Sequence, residues 1–278
     1  MFVEFQQSYI FDSGIQNGAK NKSEDGSTFD VQLPQPIVIP REAVNCTIEV
    51  IQANVWYTTP NISIRKGNNK FKFHINSDRN VTKVLTFPDG LYSVTAFNSQ
   101  LSLLLALGGY APDLFTIVGD DSTQKIVITY GAIDLALNFS GGDTCKDILG
   151  FDDIEYDFST TSGEPVFGQN IARFNTLNSY LIHTDLVSQG IPVNSIGASI
   201  ISQVPISSRP GSQIVYQPQN PARTDLTNLI GLPRNSFRIW ITDQNNEYLD
   251  TNSEDFTVVV IIRYTMPIIR NSSGANTY

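Results

Sequence analysis

The feature that most constrains the fold is the recurrence of short segments in which apolar and polar residues alternate. Phe29, Val31 and Leu33 alternate with polar neighbours, and the same period of two appears in residues 46–59. Because this period places alternate side chains on one face, it is typical of a half-buried β-strand. Charged residues make up only 16% of the chain, and it contains 14 prolines, a composition that favours strands over helices. The sequence therefore predicts a mainly β protein.

One segment departs from this pattern and predicts a helix. Its apolar residues recur at three- and four-residue spacing, which is the period of a helix with one buried face. Ser93 is suited to the N-cap position, and Gly108 and Gly109 supply the stop signal. The apolar positions of this predicted helix are Val94, Phe97, Leu101, Leu104 and Leu105.

The helix belongs to a segment with its own composition. Residues 69–167 hold 6 basic and 13 acidic groups, whereas residues 168–278 hold 7 of each. The segment reads β-β-α-β-β-β-α, and strand-like sequence flanks it on both sides. We predict one β-sandwich, formed by residues 29–68 and 168–278, that is interrupted by a small α/β insertion domain at residues 69–167. An acidic surface repels phosphate, so we expect no direct nucleic-acid binding.

Residues 1–28 are predicted to form an N-terminal arm. The segment is polar and turn-rich, and it ends in NGAKNKSEDGS, so it cannot bury enough apolar area to fold alone. Its first residues are apolar, however, and need a surface to cover them. They either contact a partner protein or fold back onto their own sandwich. These candidate contact residues are Phe2, Phe5, Tyr9, Ile10 and Phe11.

The two histidines give no signature of an enzyme. In a strand, His183 shares a face with Leu181 and Asp185, and a structural His–Asp pair is the favoured interpretation. No nucleophile motif such as G-x-S-x-G accompanies this pair. His74 ends a predicted strand and is interpreted as a surface residue. The sequence therefore predicts a protein that is not an enzyme.

No motif calls for a cofactor. The acidic run from Asp152 to Asp157 has the oxygen ligands that calcium prefers, but it lacks the glycine and register of an EF-hand, and a solvated loop is favoured. Cys46 and Cys145 belong to no metal-like cluster and are interpreted as free thiols or core residues. Phosphate-binding and dinucleotide-binding glycine motifs are absent from the sequence. We expect no metal and no cofactor.

The sequence also predicts a soluble protein that is not exported. Its N-terminus, Met1-Phe2-Val3-Glu4, lacks a basic region followed by an apolar run. The longest apolar stretch, residues 101–107, is far too short to span a bilayer.

Several segments occur in an order that resembles a known family. In chain order they are FDVQLPQPIVIP, WYTTPNIS, LTFPDGLYSVTAFNSQLSLLL, STQKIVIT, LNFSGGDTCKDILGF, YLIHTDLV, SQVPI and FRIWITDQNNEYLDTNSEDFTVVVIIRY. This succession, which covers residues 29–265, resembles the jelly-roll capsid proteins of virophages, polintons and polinton-like viruses of the adintovirus type. Each segment alone is a weak signal, and the order and spacing carry the resemblance.

The resemblance implies a structural role in a virion. Major capsid proteins of these viruses are double jelly rolls, whereas this chain has strands for only one. A single jelly roll with an insertion is most like the penton, the minor capsid protein that forms pentameric vertices of an icosahedral capsid. The implied partners are other copies of the chain, the major capsid protein and other virion proteins, and the implied location is the virion after assembly in the host cytoplasm, nucleus or virus factory. The insertion is then expected to project outward and to contact a host receptor or a fibre.

A second class of function remains open from the residues alone. Sandwich lectins and receptor-binding proteins of viruses and phages share this polar composition, and their aromatic rings stack on sugars. The candidate residues for such glycan binding are Trp56, Tyr57, Trp240 and Tyr248. Buried aromatic residues of a sandwich more often belong to its core.

Overall fold

The computed structural model describes residues 1–75, 80–131, 134–158, 164–192, 199–270 and 276–277. The chain divides into two compact units: Met1–Thr59 with Leu177–Tyr278, and Pro60–Thr176. We call the first the sandwich unit and the second the inserted unit.

The elements are numbered in chain order. The strands are β1 (Phe2–Asp12), β2 (Thr28–Ile37), β3 (Asn45–Trp56), β4 (Lys70–Ile75), β5 (Lys83–Thr86), β6 (Phe115–Asp120), β7 (Lys125–Tyr130), β8 (Leu135–Asn138), β9 (Glu155–Asp157), β10 (Val166–Phe167), β11 (Ser179–Thr184), β12 (Ile200–Pro205), β13 (Gln213–Tyr216), β14 (Thr224–Asp225), β15 (Arg234–Thr242), β16 (Thr257–Pro267), β17 (Ile269–Arg270) and β18 (Asn276–Thr277). The helices are α1 (Val94–Leu107) and α2 (Lys146–Leu149), and single 3-10 turns occupy Ile15–Asn17 and Thr227–Leu229.

The sandwich unit is built on two antiparallel sheets of four or more strands, and β17 and β18 pair in a separate two-stranded sheet. Sheet A has the order β1-β16-β3-β13, with the short β14 also paired to β3, and sheet B has the order β12-β11-β15-β2. Counted along the chain, the eight main strands pair first with eighth, second with seventh, third with sixth and fourth with fifth. This nested pairing over two facing sheets is a jelly roll. The strands of the sandwich unit complete one such roll, as the sequence predicts.

Residues 2–12 are a strand of this jelly roll, which corrects the prediction of a separate N-terminal arm over residues 1–28. All eleven residues of β1 pair with β16, from Phe2 opposite Pro267 to Asp12 opposite Thr257. The ladder satisfies the backbone of β1 on one side, and its inward side chains reach the core. The physical reason for the error is that the partner strand lies at the other end of the chain.

β2 and β3 agree with their sequence patterns. β2 contains Pro34 and Pro36 and lies at the edge of sheet B, where a strand tolerates residues that cannot donate to a ladder. β3 has an irregular register at its centre, because Val259 faces Gln52 whereas Val260 faces Val50. The unmatched residue, Ile51, forms a bulge, and the buried positions of β3 accordingly change from even numbers before it to odd numbers after it, as Val50 and Ala53 show.

The inserted unit leaves the sandwich unit between the third and fourth strands of the jelly roll. It is wider than the predicted residues 69–167, and the flanking parts are correspondingly shorter than residues 29–68 and 168–278. Ile62 forms an isolated β-bridge with Gly90, and Phe174 belongs to the core of the inserted unit. These contacts outside the predicted bounds explain why the compact unit extends from Pro60 to Thr176.

The inserted unit has its own sheets and its own core. One sheet has the order β5-β4-β8-β9, and the other has the order β10-β7-β6. The core between them is strongly aromatic, and the rings of Phe87 and Phe97 stack with centroids 4.3 Å apart. A core of this kind gives the unit its own source of stability.

Helix α1 forms where the sequence predicts it. The Ser93 hydroxyl accepts a hydrogen bond from the Ala96 amide at 3.2 Å, and Gly108 caps the other end. Phe97, Leu101 and Leu105 are buried on one face, whereas the predicted core residue Leu104 is only partly buried.

Candidate assembly surface

The five apolar residues predicted to contact a partner are divided by β1 between its two faces. Phe5, Tyr9 and Phe11 face the interior of the sandwich unit, because odd-numbered residues of this strand point inward. The Phe5 ring stacks on Tyr264 with centroids 5.4 Å apart, and Phe11 is 3% exposed. These three residues have therefore folded back onto their own sandwich.

Phe2 and Ile10 lie on the outer face of β1 and remain open to solvent. Their side chains are 63% and 72% exposed. Of the five predicted contact residues, these two are exposed, whereas Phe5 and Tyr9 are half-buried and Phe11 is buried.

The outer face of sheet A also carries an ion pair that the sequence pattern did not single out. Glu49 is 3% exposed although it lies on the solvent side of β3. Its Oε1 atom is 3.0 Å from the Nε atoms of both Arg223 and Arg263. Arg263 also donates from Nη1 to the side-chain oxygen of Gln6 at 2.7 Å. The cluster thus ties β1, β16 and β3 together across the sheet. The sequence signal for this ion pair is Glu49 itself, a glutamate at an outward position of the strongly apolar strand β3.

The four edges of sheets A and B differ in how well they are protected from pairing with another chain. β2 carries two prolines, β12 ends in Pro205, and β13 has four residues. β1, in contrast, offers eleven residues without proline, glycine or lysine. Edge strands usually carry such protective features because an open edge is a template for another strand. The edge of β1 is therefore the strongest candidate for contact with another chain.

His183 is structural, as expected, but its partner is Thr242 rather than Asp185. The imidazole is 1% exposed, and its Nε2 atom lies 2.9 Å from the Thr242 hydroxyl oxygen. Its ring stacks on Trp240 with centroids 5.1 Å apart. Asp185 is exposed and accepts instead from the Arg238 amide. Burial lowers the pKa of His183 to about 4, so the ring is neutral at neutral pH and is part of the core.

His74 is buried, which corrects its interpretation as a surface residue. It is 6% exposed, and its Nε2 atom lies 3.0 Å from the amide nitrogen of Asn138. Glu155 is 3.9 Å from the same imidazole nitrogen. The residue lies in β4 and pairs with Ala136 of the neighbouring strand β8.

The acidic residues that were considered for calcium mostly have protein partners. Asp153 forms an ion pair with Lys146 and accepts from the Gly141 amide at 2.8 Å. The side chain of Asp152 accepts from Asn170 at 3.2 Å. The hydrogen bond from Lys146, and after it the one from the Gly141 amide, lower the pKa of Asp153. Within the described ranges, no group of three or more His, Cys, Asp or Glu residues is arranged to hold a metal ion.

Both cysteines are free thiols inside the molecule. Cys46 and Cys145 are fully buried, one in each unit. Burial raises the pKa of Cys46 to about 12 and also raises that of Cys145. A thiol reacts as its thiolate, so neither residue is suited to nucleophilic chemistry.

The aromatic residues considered for glycan binding do not share one exposed face. Tyr57 is 4% exposed, and one face of the Trp240 ring is occupied by His183. Tyr248 is 57% exposed, in the turn between β15 and β16. Stacking on a sugar requires an accessible ring face, so the arrangement gives little support to a glycan site built from these residues.

Neither helix in the described part of the chain has the length and apolarity needed to cross a bilayer. A scan against protein-family models and a search of curated proteins each gave no match. Among solved structures, the chain is similar to the mavirus penton protein, with 13% identity, 95% of this chain and 100% of that chain covered, and a TM-score of 0.46. It is also similar to a chain of the Sputnik virophage structure determined by cryo-EM, with 12% identity, 94% and 97% covered, and a TM-score of 0.38. Since both TM-scores are below 0.5, the assignment of the jelly roll rests on the strand order described above.

Proposed function

We propose that this protein is a penton-type minor capsid protein that forms the pentameric vertices of an icosahedral capsid. The observation that carries the proposal is the strand order of the sandwich unit, in which eight strands complete one jelly roll. The ordered segments that resemble virophage and polinton capsid proteins support the same role. A subunit with one jelly roll has enough strands for a vertex protein but not for the double jelly roll of a major capsid protein.

The two sides of the jelly roll favour a ring. Sheet A ends in β1 on one side and in β13 on the other, so copies that meet side by side join unlike surfaces. Contacts between unlike surfaces generate a closed ring when the rotation between subunits is a whole fraction of a turn. In a capsid vertex that fraction is one fifth.

The proposed partners are further copies of this chain, the major capsid protein and other virion proteins, and the proposed location is the virion. Phe2 and Ile10 keep the contact role that was predicted for the arm, because their side chains are exposed. Phe5, Tyr9 and Phe11 contribute by holding β1 in place. We expect no catalytic activity from this role.

The inserted unit is proposed to act on the outside of the particle. It has its own core, and residues 69–167, which it includes, carry 13 acidic and 6 basic groups. An acidic surface is well hydrated and suits contact with a basic partner, such as a receptor or a fibre protein. In this proposal the jelly roll forms the shell and the inserted unit determines what the vertex binds.

Co-assembly with the major capsid protein tests the proposed function. Particles made with this chain should contain it at the five-fold vertices, and particles made without it should have open vertices. A cryo-EM reconstruction of both samples compares the two. If the protein is absent from the vertices, or replaces the major capsid protein on the faces, the proposed function is wrong.

A further inference from the structure

The backbone of β1 shows which of its groups are free to bind another strand. Met1 accepts a backbone hydrogen bond from Ile268, and Ser13 donates one to Phe256. Met1 and Ser13 flank β1 on its ladder with β16, and both are odd-numbered. In an antiparallel pair every second residue exchanges hydrogen bonds with its partner strand. The even-numbered residues of β1 therefore direct their N–H and C=O groups toward the outer edge of sheet A, where no strand of the described residues pairs with β1.

The same reasoning applies to β13 at the other edge of sheet A. The Tyr57 amide donates to the Ser212 carbonyl at 3.0 Å, so even-numbered residues of β13 bond to β3. Gln213 and Val215 then direct their backbone groups outward. The Ser208 hydroxyl already donates to the Gln213 carbonyl at 3.3 Å. Val215 is 58% exposed, whereas its neighbour Ile214 is buried.

The two edges lie at the same height in the sheet and run in opposite directions. Val215 faces Asn54 of β3, Asn54 faces Thr257 of β16, and Thr257 faces Asp12 of β1. β13 is thus level with the C-terminal half of β1. Because three antiparallel pairings separate the two strands, β1 and β13 are antiparallel. When copies are related by rotation about an axis that runs roughly along the strands, β13 of one copy meets β1 of the next in an antiparallel orientation.

We propose that the open edge of β1 pairs with the β13 edge of a neighbouring copy, so that sheet A continues from subunit to subunit around the ring. This inference rests on the proposed ring of the previous section. The register we propose sets the two exposed apolar residues together, with Ile10 opposite Val215 of the next copy and Asp12 opposite Gln213. It differs by two residues, about 7 Å along the strand, from the equal-height register of Asp12 opposite Val215, and a tilt of the strands relative to the ring axis supplies this shift. Both Ile10 and Val215 lie on the outer face of sheet A and both are exposed in the single chain. The pairing covers both apolar side chains and satisfies the backbone groups beside them.

Disulfide trapping tests this pairing directly. Within one chain, two strands separate Ile10 from Val215, which corresponds to a distance of about 14 Å at the usual strand spacing. A disulfide requires Cα atoms closer than about 7 Å. A bond between Ile10→Cys and Val215→Cys must therefore join two copies. The native cysteines are both buried, so they leave this readout clear.

The double variant Ile10→Cys/Val215→Cys should form covalent multimers of up to five chains under mild oxidation, and reductant should return them to single chains on a denaturing gel. The matched control is Phe2→Cys/Val215→Cys, because Phe2 is also exposed on the outer face of β1 but lies at the other end of the strand. The control should remain a single chain.

Charge exchange provides a second test that does not depend on cysteine chemistry. Ile10→Lys adds a charge at the proposed contact and should cause loss of rings together with unchanged folding. Leu232→Lys adds the same charge at an exposed apolar residue of the sandwich unit outside sheet A and should leave the rings intact. Combination of Ile10→Lys with Val215→Glu should restore the rings that Ile10→Lys alone abolishes.

Five-fold rings without the 10–215 cross-link would overturn the pairing and leave the proposed function standing. Cross-linked rings of another size would support the pairing and overturn the five-fold function. The absence of both the cross-link and the charge rescue would overturn the pairing, whatever the number of subunits in the assembly.

Discussion

The ring of Phe11 in β1 meets the ring of Phe237 in β15 edge to face, with centroids 5.1 Å apart and planes inclined by 79°. This contact joins the first strand of sheet A to the opposite sheet. It shows that the N-terminal residues are part of the core of the jelly roll. It also fixes the position of β1, whose outer edge is the one proposed to pair with a neighbouring copy.

The first prediction concerns the energy of this contact. Replacement Phe11→Ala removes a buried ring and leaves a cavity, so it should lower the free energy of unfolding of the sandwich unit by about 3–5 kcal/mol. Phe2→Ala is the matched control on the same strand, and since Phe2 is 63% exposed, its effect should be small. Urea unfolding of both variants measures the difference. Equal effects of the two replacements would mean that β1 is not held in the core.

The second prediction concerns pH. Burial lowers the pKa of His183 from 6.5 to about 4, so the unfolded chain binds a proton more readily than the folded one between these values. The contribution of His183 to the free energy of unfolding should therefore be complete above about pH 6.5. It should be lost as the pH decreases toward about 4, by roughly 3 kcal/mol at most. Urea unfolding at several pH values measures the slope.

The matched control for this prediction is His183→Gln, which keeps a side-chain donor near Thr242 but does not titrate. Its stability should depend less on pH than that of the natural chain over the same range. Trp240 stacks on His183, so its fluorescence reports unfolding at this point. An unchanged pH slope in the variant would show that other groups cause the acid sensitivity.

The third prediction concerns helix α1. Leu101 is fully buried and Leu103 is 52% exposed on the same helix. Leu101→Ala should lower the stability of the inserted unit by about 2–5 kcal/mol, whereas Leu103→Ala should have little effect. Hydrogen exchange measured separately in the two units should locate the loss in the inserted unit. A loss spread equally over both units would mean that they unfold as one.

The fourth prediction concerns the independence of the sandwich unit. Removal of residues 60–176, with a short Gly/Ser bridge from Thr59 to Leu177, should leave a folded jelly roll, because each unit has its own core. Circular dichroism and a cooperative thermal transition measure this outcome. A shortened chain without a cooperative transition would show that the sandwich unit needs the inserted unit in order to fold.

The sequence predicted the elements whose signals are local. The spacing of Phe97, Leu101 and Leu105, the cap residue Ser93 and the stop at Gly108 lie within one short segment, and together they define α1. The prolines of β2 likewise mark an edge strand without reference to other parts of the chain. Such features depend on backbone geometry and helical or strand periodicity, which a single segment contains.

The sequence could not predict β1, because its signal is not local. The apolar residues Phe2 and Ile10 lie on the exposed face and interrupt the alternation of the inward residues, which are Val3, Phe5, Tyr9 and Phe11. The partner strand β16 is also far away in sequence, because Asp12 faces Thr257, which comes 245 residues later. Pairing over such a distance depends on the whole topology. The same reason explains His183, whose partner Thr242 comes from a neighbouring strand and not from its own.

The central claim is that this jelly roll forms five-membered rings, and electron microscopy of the purified protein tests it most directly. Two-dimensional class averages, collected over a range of protein concentrations, show the number of subunits in each ring without assumptions about shape. We predict averages with five-fold symmetry. Averages with three-fold symmetry would place the protein with trimeric capsomers and would contradict the account.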